Sequence, residues 1–187
     1  MPDAPAFTAL LFGLRGCLVR AVDGTLQPAP GALNALDSLH RRQVPCIWLD
    51  ELNASQDKQL ASVLPNWLPG QTQNSPPWPA PHACWLALMN LNSERLDGCV
   101  LVSGEPRLLQ SGLNAGLWTV GLAACSPSCD LLSSEWQAMD PHEQDKVRGK
   151  ATLELFSLGV HSVIDHLEAL DTCLLDIAQR RRKGEKP

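Results

Sequence analysis

The feature of this sequence that most limits its fold is a regular alternation of short apolar runs with segments of helical periodicity. Apolar runs of strand length lie at residues 8–13, 44–49, 98–102, 118–122 and 162–165. Apolar residues at helical spacing occur at 32–42, 55–64, 82–91, 106–115, 133–158 and 167–182. This alternation is typical of parallel sheets, because each parallel pair needs a crossover connection. We therefore predict a single α/β domain over residues 1–187, a doubly wound, Rossmann-like parallel sheet with helices on both faces and a Pro-rich loop at about 65–81.

The charge and the apolar runs limit the partners. The formal net charge is -5, whereas a nucleic-acid-binding surface carries an excess of Lys and Arg, so no nucleic-acid partner is expected. The apolar runs are too short to span a membrane, and the first residues lack a basic-then-apolar leader, so a cytoplasmic location with no membrane partner is expected. The basic run at 180–183 is interpreted as a complement to the dipole of the last helix rather than as a site for an acidic partner.

The cysteines indicate a reducing compartment. Their number is seven, an odd count, and they are scattered along the chain, which argues against a fully paired disulfide framework. Cys125 and Cys129 could place two thiolates on one metal, but a second pair of ligands at zinc-site spacing is absent from the sequence. No metal role is predicted for them.

Motifs in both halves of the chain resemble those of a known family. Residues 112–121 (Gly-Leu-Asn-Ala-Gly-Leu-Trp-Thr-Val-Gly), 159–165 (Gly-Val-His-Ser-Val-Ile-Asp) and 184–187 (Gly-Glu-Lys-Pro) resemble phosphonoacetaldehyde hydrolases, which belong to the haloacid dehalogenase superfamily. Residues 11–18 (Leu-Phe-Gly-Leu-Arg-Gly-Cys-Leu) stand where the superfamily has a strand ending in Phe-Asp-x-Asp-Gly-Thr-Leu. The resemblance is specific over about 101–187 and weaker before it, and it implies a haloacid dehalogenase-like core.

The resemblance also implies which positions would carry chemistry. In the superfamily an Asp at the end of the first strand attacks phosphorus, a metal ion bridges that carboxylate and the phosphate, and acidic residues after the fourth strand hold the metal. The residues of this chain at the matched positions are Gly13 for the nucleophile, Arg15 two places on, Cys17 for the Thr, Leu49 or Asp50 for the hydroxyl residue after the second strand, Trp78 for the basic phosphate ligand, and Gly104 and Leu108 for the two metal-holding Asp residues. Glu105 is a nearby acidic residue, displaced by one place.

Two further departures concern the cap domain and a decoy motif. The segment between Gly13 and the second strand is too short for the helical cap that carries the family's Schiff-base lysine, so a chain without a cap is expected, and phosphonate cleavage by the family's route is not. Residues 23–26 spell Asp-Gly-Thr-Leu, but Ala21 stands at the place of the nucleophile. We interpret this stretch as a turn.

Two functions remain open at this stage. The first is a non-catalytic binding or regulatory protein, a pseudoenzyme without a cofactor, which binds a protein partner or a small anion through Arg15 and the helix N-termini at the strand ends. Arg15 would repel Mg²⁺, since two unit charges about 4 Å apart interact by roughly 4 kcal/mol at an effective dielectric near 20 and a divalent ion doubles this. We therefore expect Arg15 to occupy the metal position and to pair with Glu105, Asp50 or Glu51.

The second function is a metal-dependent phosphatase that holds Mg²⁺ with displaced acidic residues, namely Asp50, Glu51 and Glu105.

The tryptophans and the oligomeric state concern possible partners, whichever of the two functions holds. Trp48, Trp85 and Trp118 lie in apolar runs and are predicted to be core residues, whereas Trp67 and Trp78 lie in the Pro-rich region and are candidate interface anchors. The family resemblance implies a homodimer.

Overall fold

The computed structural model describes residues 6–52, 54–71, 76–126 and 138–187. The strands within these ranges are β1 (Ala9–Gly13), β2 (Val19–Val22), β3 (Thr25–Pro28), β4 (Cys46–Leu49), β5 (Gly70–Gln71), β6 (Cys99–Ser103), β7 (Trp118–Leu122) and β8 (Ser162–Ile164). The α-helices are α1 (Ala32–Arg41), α2 (Ala54–Ala61), α3 (His82–Asn90), α4 (Pro106–Asn114), α5 (Pro141–Ser157) and α6 (Leu170–Arg182).

Six of these strands form one parallel sheet in the order β5-β4-β1-β6-β7-β8. All five residues of β1 are buried, as a central strand covered on both faces requires. Alternate residues face opposite sides: Leu10 and Phe12 join the core cluster that contains residues of α1 and α6, while Ala9 and Leu11 join the cluster that contains residues of α3 and α4. The prediction of a doubly wound α/β domain is confirmed.

Three strands were not predicted, namely the two of a hairpin and one at the edge of the sheet. Strands β2 and β3 form an antiparallel hairpin in which Val22 pairs with Thr25, and the predicted turn lies at its tip, where Asp23 and Gly24 have φ of 48° and 75°. Positive φ at both central residues is typical of the two-residue turn that Asp-Gly favours. Strand β5 lies inside the predicted loop at 65–81. It pairs with β4 because Gly70 has no side chain, since a Cβ there would come within 1.8 Å of the Trp48 indole ring.

The segment at 133–158 was predicted as mostly helix with a break at Pro141, and α5 begins at Pro141 after the capping box of Asp140. Residues 133–137 of that prediction lie outside the described residues. The predicted helix at 167–182 starts with one turn of 3-10 helix before α6. The remaining predicted strands and helices are present, and their ends differ from the predicted ones by at most three residues.

The tryptophans divide differently from the prediction. Trp48 and Trp118 are buried core residues, as predicted. Trp85 is 43% exposed, so its assignment to the core was wrong, because α3 turns that residue outward. Trp78 is 6% exposed and was wrongly chosen as an interface anchor; Trp67 is 37% exposed, so it remains a candidate.

The C-terminal arginines and the cysteines have intramolecular environments. Arg180 donates to the His161 carbonyl (3.0 Å), and Arg181, whose side chain is 5% exposed, pairs with Asp97 (3.3 Å). These contacts hold α6 against the sheet and agree with the interpretation of the basic run as structural. The six cysteines within the described ranges form no disulfide with one another, and Cys129 lies outside these ranges. Within the described ranges no helix is both long enough and apolar enough to cross a membrane.

Candidate functional site

The residues predicted from the sequence meet at one edge of the sheet, at the carboxyl ends of β1, β4 and β6. Gly13 ends β1 and pairs in register with Leu49, so Asp50 follows directly at the neighbouring strand end. Gly104 follows β6 on the other side of β1. From β1 the chain adds β4 and β5 on one side of the sheet and then β6, β7 and β8 on the other, so the strand order reverses between β1 and β6. Ligands of doubly wound folds bind in the crevice at such a switch point.

A bidentate ion pair between Arg15 and Asp50 lies at the centre of this edge. Arg15 Nε donates to Asp50 Oδ2 (2.8 Å), and the terminal guanidinium nitrogen donates to Asp50 Oδ1 (2.6 Å). The Glu51 backbone N–H donates to the same Oδ1 (2.6 Å). The Asp50 side chain is 2% exposed and that of Arg15 is 51% exposed, so the carboxylate is buried while the guanidinium reaches solvent.

The expected pairing of Arg15 is therefore present for one of its three candidate partners. The hydrogen bond to Asp50 is the main reason that the pKa of Arg15 lies above its ordinary value; burial lowers it by a smaller amount, and the charges of Asp50, Asp57 and Glu105 raise it further. Glu105 thus acts on Arg15 through its charge, with no hydrogen bond between them among the described contacts. Glu51 faces other partners.

Glu51 and Arg107 enclose the backbone of Trp78. Glu51 Oε1 accepts from the Trp78 N–H (2.6 Å), Glu51 Oε2 pairs with Arg107 (3.2 Å), and Arg107 donates to the Trp78 carbonyl. Trp78, matched to the family's basic phosphate ligand, therefore offers a buried indole and a backbone whose N–H and carbonyl are engaged. Arg107 was not predicted, because nothing in its local sequence distinguishes it from an ordinary residue in the first turn of a helix.

Glu105 caps helix α4. Its Oε1 accepts from the Arg107 backbone N–H (3.1 Å), and its own N–H donates to Ser103 Oγ (3.0 Å). Pro106 follows at the first helical position, where its missing N–H costs nothing. The carboxylate thus occupies the helix N-terminus, the place where a small anion would otherwise be stabilised.

The two glycines at catalytic positions are closely surrounded. A Cβ at Gly104 would lie 2.4 Å from the Cys125 carbonyl oxygen and 2.6 Å from that of Gly16, and the Gly104 N–H already donates to the Gly16 carbonyl (2.9 Å). A Cβ at Gly13 would lie 2.7 Å from Ser103 Oγ. The backbone after β7 therefore lies directly against the strand end where the superfamily places a metal-holding Asp.

These residues do not fit a magnesium site. Gly13, Gly104 and Leu108 offer no side-chain oxygen, and Leu108 is fully buried in the core. The acidic residues of the alternative, Asp50, Glu51 and Glu105, each have the hydrogen-bond partners described above. Within the described ranges no group of three His, Cys, Asp or Glu residues is arranged to hold a metal ion.

Cys17, at the position of the superfamily's Thr, is a buried thiol. Burial and then the nearby Cys125 raise its pKa well above the ordinary value, while a backbone hydrogen bond at Gly13 lowers it to a lesser degree. Its Sγ donates to the Val102 carbonyl (3.4 Å). A neutral, fully buried thiol is a poor nucleophile, so Cys17 acts as a small core residue.

Asp57 in α2 is a second residue that the sequence did not reveal. It is fully buried, and neither carboxylate oxygen has a hydrogen-bond partner among the described residues. Burial and, to a lesser degree, the charge of Asp50 raise its pKa to about 6, while Arg15 lowers it. The Arg15 guanidinium is thus the nearby positive charge for two acidic residues, and it forms hydrogen bonds to Asp50 but acts on Asp57 through its charge.

The segment between β1 and α1, where the family inserts its cap, is described throughout. Residues 14–31 contain the β2–β3 hairpin and its connections. The fold around it is that of the haloacid dehalogenase group: a conserved haloacid dehalogenase-like protein from Agrobacterium tumefaciens has a TM-score of 0.66 at 13% identity, over 92% of this chain and 100% of that chain. This similarity concerns the fold alone.

Relatives with higher identity narrow the group. The phosphonoacetaldehyde hydrolase of Klebsiella pneumoniae is 36% identical over 106 residues, which are 55% of this chain and 39% of that enzyme. A crystal structure of a phosphonoacetaldehyde hydrolase-like protein from Oleispira antarctica has a TM-score of 0.78 at 25% identity, over 86% of this chain and 60% of that one. Another crystal structure has a TM-score of 0.91 at 53% identity, over 97% of this chain and 100% of that one.

The chain is similar in sequence and fold to haloacid dehalogenase-like hydrolases, and phosphonoacetaldehyde hydrolases are among the proteins that it matches. No family model matches the sequence. The chain spans about 39% of the length of the Klebsiella enzyme that it matches.

Replacing Arg15 by Ala should lower the free energy of unfolding by roughly 3 kcal/mol, because it leaves Asp50 buried without its cation. Urea denaturation followed by circular dichroism measures this change. Arg20→Ala, an exposed arginine of the β2–β3 hairpin, is the matched control and should change stability by less than about 0.5 kcal/mol. Equal stability of Arg15→Ala and wild type would show that the ion pair does not support the fold.

Replacing Asp57 by Asn should remove a pH dependence. Because the folded-state pKa of about 6 lies above the ordinary 3.8, the folded chain binds this proton more tightly than the unfolded chain does. The resulting stabilisation is fully present below the ordinary pKa and is lost as the pH rises through the folded-state pKa.

Asp57→Asn should therefore be more stable than wild type by roughly 1 to 3 kcal/mol at about pH 7.5, and should lose most of this advantage at about pH 4. Urea denaturation at the two pH values tests this, with the exposed Asp37→Asn as control. A constant difference at both pH values would mean that Asp57 does not titrate in this interval.

Proposed function

We propose that this chain is a non-catalytic member of the superfamily, a pseudoenzyme that acts by binding a protein partner. The observation that supports this most directly is the close approach of the Cys125 and Gly16 carbonyls to Gly104. An enzyme of the superfamily needs an oxygen ligand and a metal ion at this place. Here two backbone carbonyls already occupy the space that the first atom of such a side chain would need.

The ion pair gives the second argument. Arg15 places a positive charge directly beside Asp50. A displaced metal site would need the Asp50 carboxylate as a free ligand. For the alternative, a metal-dependent phosphatase, Asp50, Glu51 and Glu105 would have to leave Arg15, the Trp78 backbone and the α4 N-terminus. Separating Arg15 from Asp50 would leave the buried carboxylate without its cation, which is unfavourable, so the metal-free arrangement is favoured, and no cofactor belongs to the proposal.

The charge balance favours a protein partner over a small anion. The two guanidinium groups of the site, Arg15 and Arg107, each face a carboxylate, and Glu105 adds a third negative charge at the α4 N-terminus. Three carboxylates against two guanidiniums leave the strand ends without the net positive charge that attracts anions. The role of Arg15 as an anion contact therefore remains a prediction with weaker support, and a cytoplasmic location remains part of the proposal.

Magnesium binding and phosphatase activity test the proposal together. Isothermal titration of the purified chain with Mg²⁺ should show no binding, and p-nitrophenyl phosphate and acetyl phosphate should not be hydrolysed above the buffer rate. Turnover that Glu105→Ala abolishes, and that the exposed-residue control Glu94→Ala leaves intact, would contradict the proposal and assign the chain to the metal-dependent phosphatases instead.

Reintroducing the acidic residue tests the closure of the site itself. Gly104→Asp should fail to bind Mg²⁺ and should lower the free energy of unfolding by about 3 kcal/mol, because its Cβ must displace the backbone of Gly16 or Cys125. Gly149→Asp is the matched control, since nothing lies within 4 Å of its Cβ position. A Gly104→Asp variant that keeps the wild-type stability and binds Mg²⁺ would show that the site is open to a metal.

A further inference from the structure

Helix α2 differs from an ordinary surface helix because the residue that it buries is acidic. Asp57 is fully buried, whereas Leu60 and Ala61 are half-buried and pack against the core. The other five residues of the helix are exposed. A surface helix is normally held to its core by an apolar stripe of several residues. Helix α2 lacks such a stripe and is therefore weakly anchored, so it can move outward from the sheet.

The Asp57 carboxylate belongs to the strand-end site, which we define as Asp57 together with Arg15, Asp50, Glu51, Glu105 and Arg107. The charge of Asp57 acts on Arg15, and the charges of Asp50 and Arg15 act on Asp57, so the carboxylate lies beside that ion pair. The hydrogen bonds of the Arg15 guanidinium go to Asp50. Neither Asp57 oxygen has a hydrogen-bond partner among the described residues. A buried carboxylate needs donors when it is ionised, and Asp57 lacks them.

The strand-end site carries more negative than positive charge. Its carboxylates outnumber its guanidiniums by four to two, with Asp50, Glu51, Asp57 and Glu105 against Arg15 and Arg107. Lys58 follows Asp57 in the sequence, but it is exposed and lines an open groove with Trp48 and Leu68. Its ammonium group therefore does not complete the site. A region with such an excess of negative charge attracts cations.

We propose that Asp57 accepts a basic side chain, Arg or Lys, from the protein partner, and that this side chain enters the strand-end site as α2 moves outward. A guanidinium or ammonium group supplies the N–H donors that the two Asp57 oxygens lack. A metal ion fits less well, because within the described ranges no group of three His, Cys, Asp or Glu residues is arranged to hold one. This inference rests on the proposed function, since it names the chemistry by which the partner is recognised.

Binding of the basic side chain should depend on pH in a defined direction. Burial and, to a lesser degree, the charge of Asp50 raise the pKa of Asp57 to about 6, while Arg15 lowers it. A bound cation favours the ionised carboxylate and lowers this pKa. Asp57 of the unbound chain is ionised to about one-tenth at pH 5 and almost fully at pH 7.5, so binding should be about ten-fold weaker at pH 5.

Fluorescence anisotropy with a labelled peptide of alternating Ser and Arg tests the inference. At about pH 7.5 the wild type should bind this peptide with a dissociation constant below about 1 mM. The same peptide with citrulline in place of Arg keeps the shape of the side chain but not its charge, and should bind at least about 10-fold more weakly.

Two variants of the chain locate the contact. Asp57→Asn should weaken binding of the Arg peptide at least about 10-fold at pH 7.5 and should remove the difference between pH 5 and pH 7.5. Asp37→Asn removes the same charge from an exposed position of α1 and should leave the dissociation constant within about two-fold of wild type. Circular dichroism checks that both variants are folded.

Calorimetry at about pH 6 gives a second readout. Binding should release about half a proton per complex, because the bound cation ionises Asp57. Titrations in MES and in cacodylate buffer, whose heats of ionisation differ, measure this release. A purely structural role of Asp57 would leave the two heats equal.

The inference would be overturned by a wild type that does not bind the Arg peptide or binds it equally at both pH values. An Asp57→Asn variant that binds as tightly as wild type would overturn it as well. Neither result affects the proposed function, which the Mg²⁺ titration and the phosphatase assay test without the peptide. Conversely, Mg²⁺-dependent turnover would contradict the proposed function whatever the peptide result.

Discussion

The ion pair between Arg15 and Asp50 is the interaction on which the candidate site depends. Asp50 follows β4 directly and is buried, so its charge needs a partner at close range. Arg15 supplies that partner from the neighbouring strand end and keeps half of its side chain in solvent. With the cation built into the chain, the other acidic residues take structural roles: Glu51 holds the Trp78 backbone and Glu105 caps α4.

The closure at Gly104 has a different physical basis, since it rests on backbone rather than charge. The N–H of Gly104 bonds the Gly16 carbonyl, and the Cys125 carbonyl lies where a Cβ would be. Three chain segments, which follow β1, β6 and β7, can approach this closely because two of them carry glycine at the contact. A side chain at position 104 would need these segments further apart, so their close approach and an acidic residue at this position exclude each other.

The fold was largely predictable because its signal is local. Strands such as β1 and β6 are five buried residues long, and the helices show their apolar period within their own sequence. The β2–β3 hairpin was missed although its Asp23–Gly24 turn was recognised, since the flanking residues alternate only weakly. Within the site, Arg15 and Asp50 were found because the family resemblance aligned both with motif positions of the superfamily. Arg107 and Asp57 were not, because their roles come from contacts with residues distant in the sequence.

Asp57 is a buried acidic residue of the site that has no hydrogen-bonded cation. A buried carboxylate without a hydrogen bond normally finds a partner or is replaced, yet Asp57 lies near Arg15, whose hydrogen bonds go to Asp50. Burial and, to a lesser degree, the charge of Asp50 raise its pKa to about 6, while Arg15 lowers it. The net charge at the strand ends is therefore more negative above that pH, where Asp57 is ionised, than below it. Asp57 lies in α2. The packing of this short helix therefore depends on whether Asp57 is protonated, because no side chain pairs with its carboxylate among the described residues.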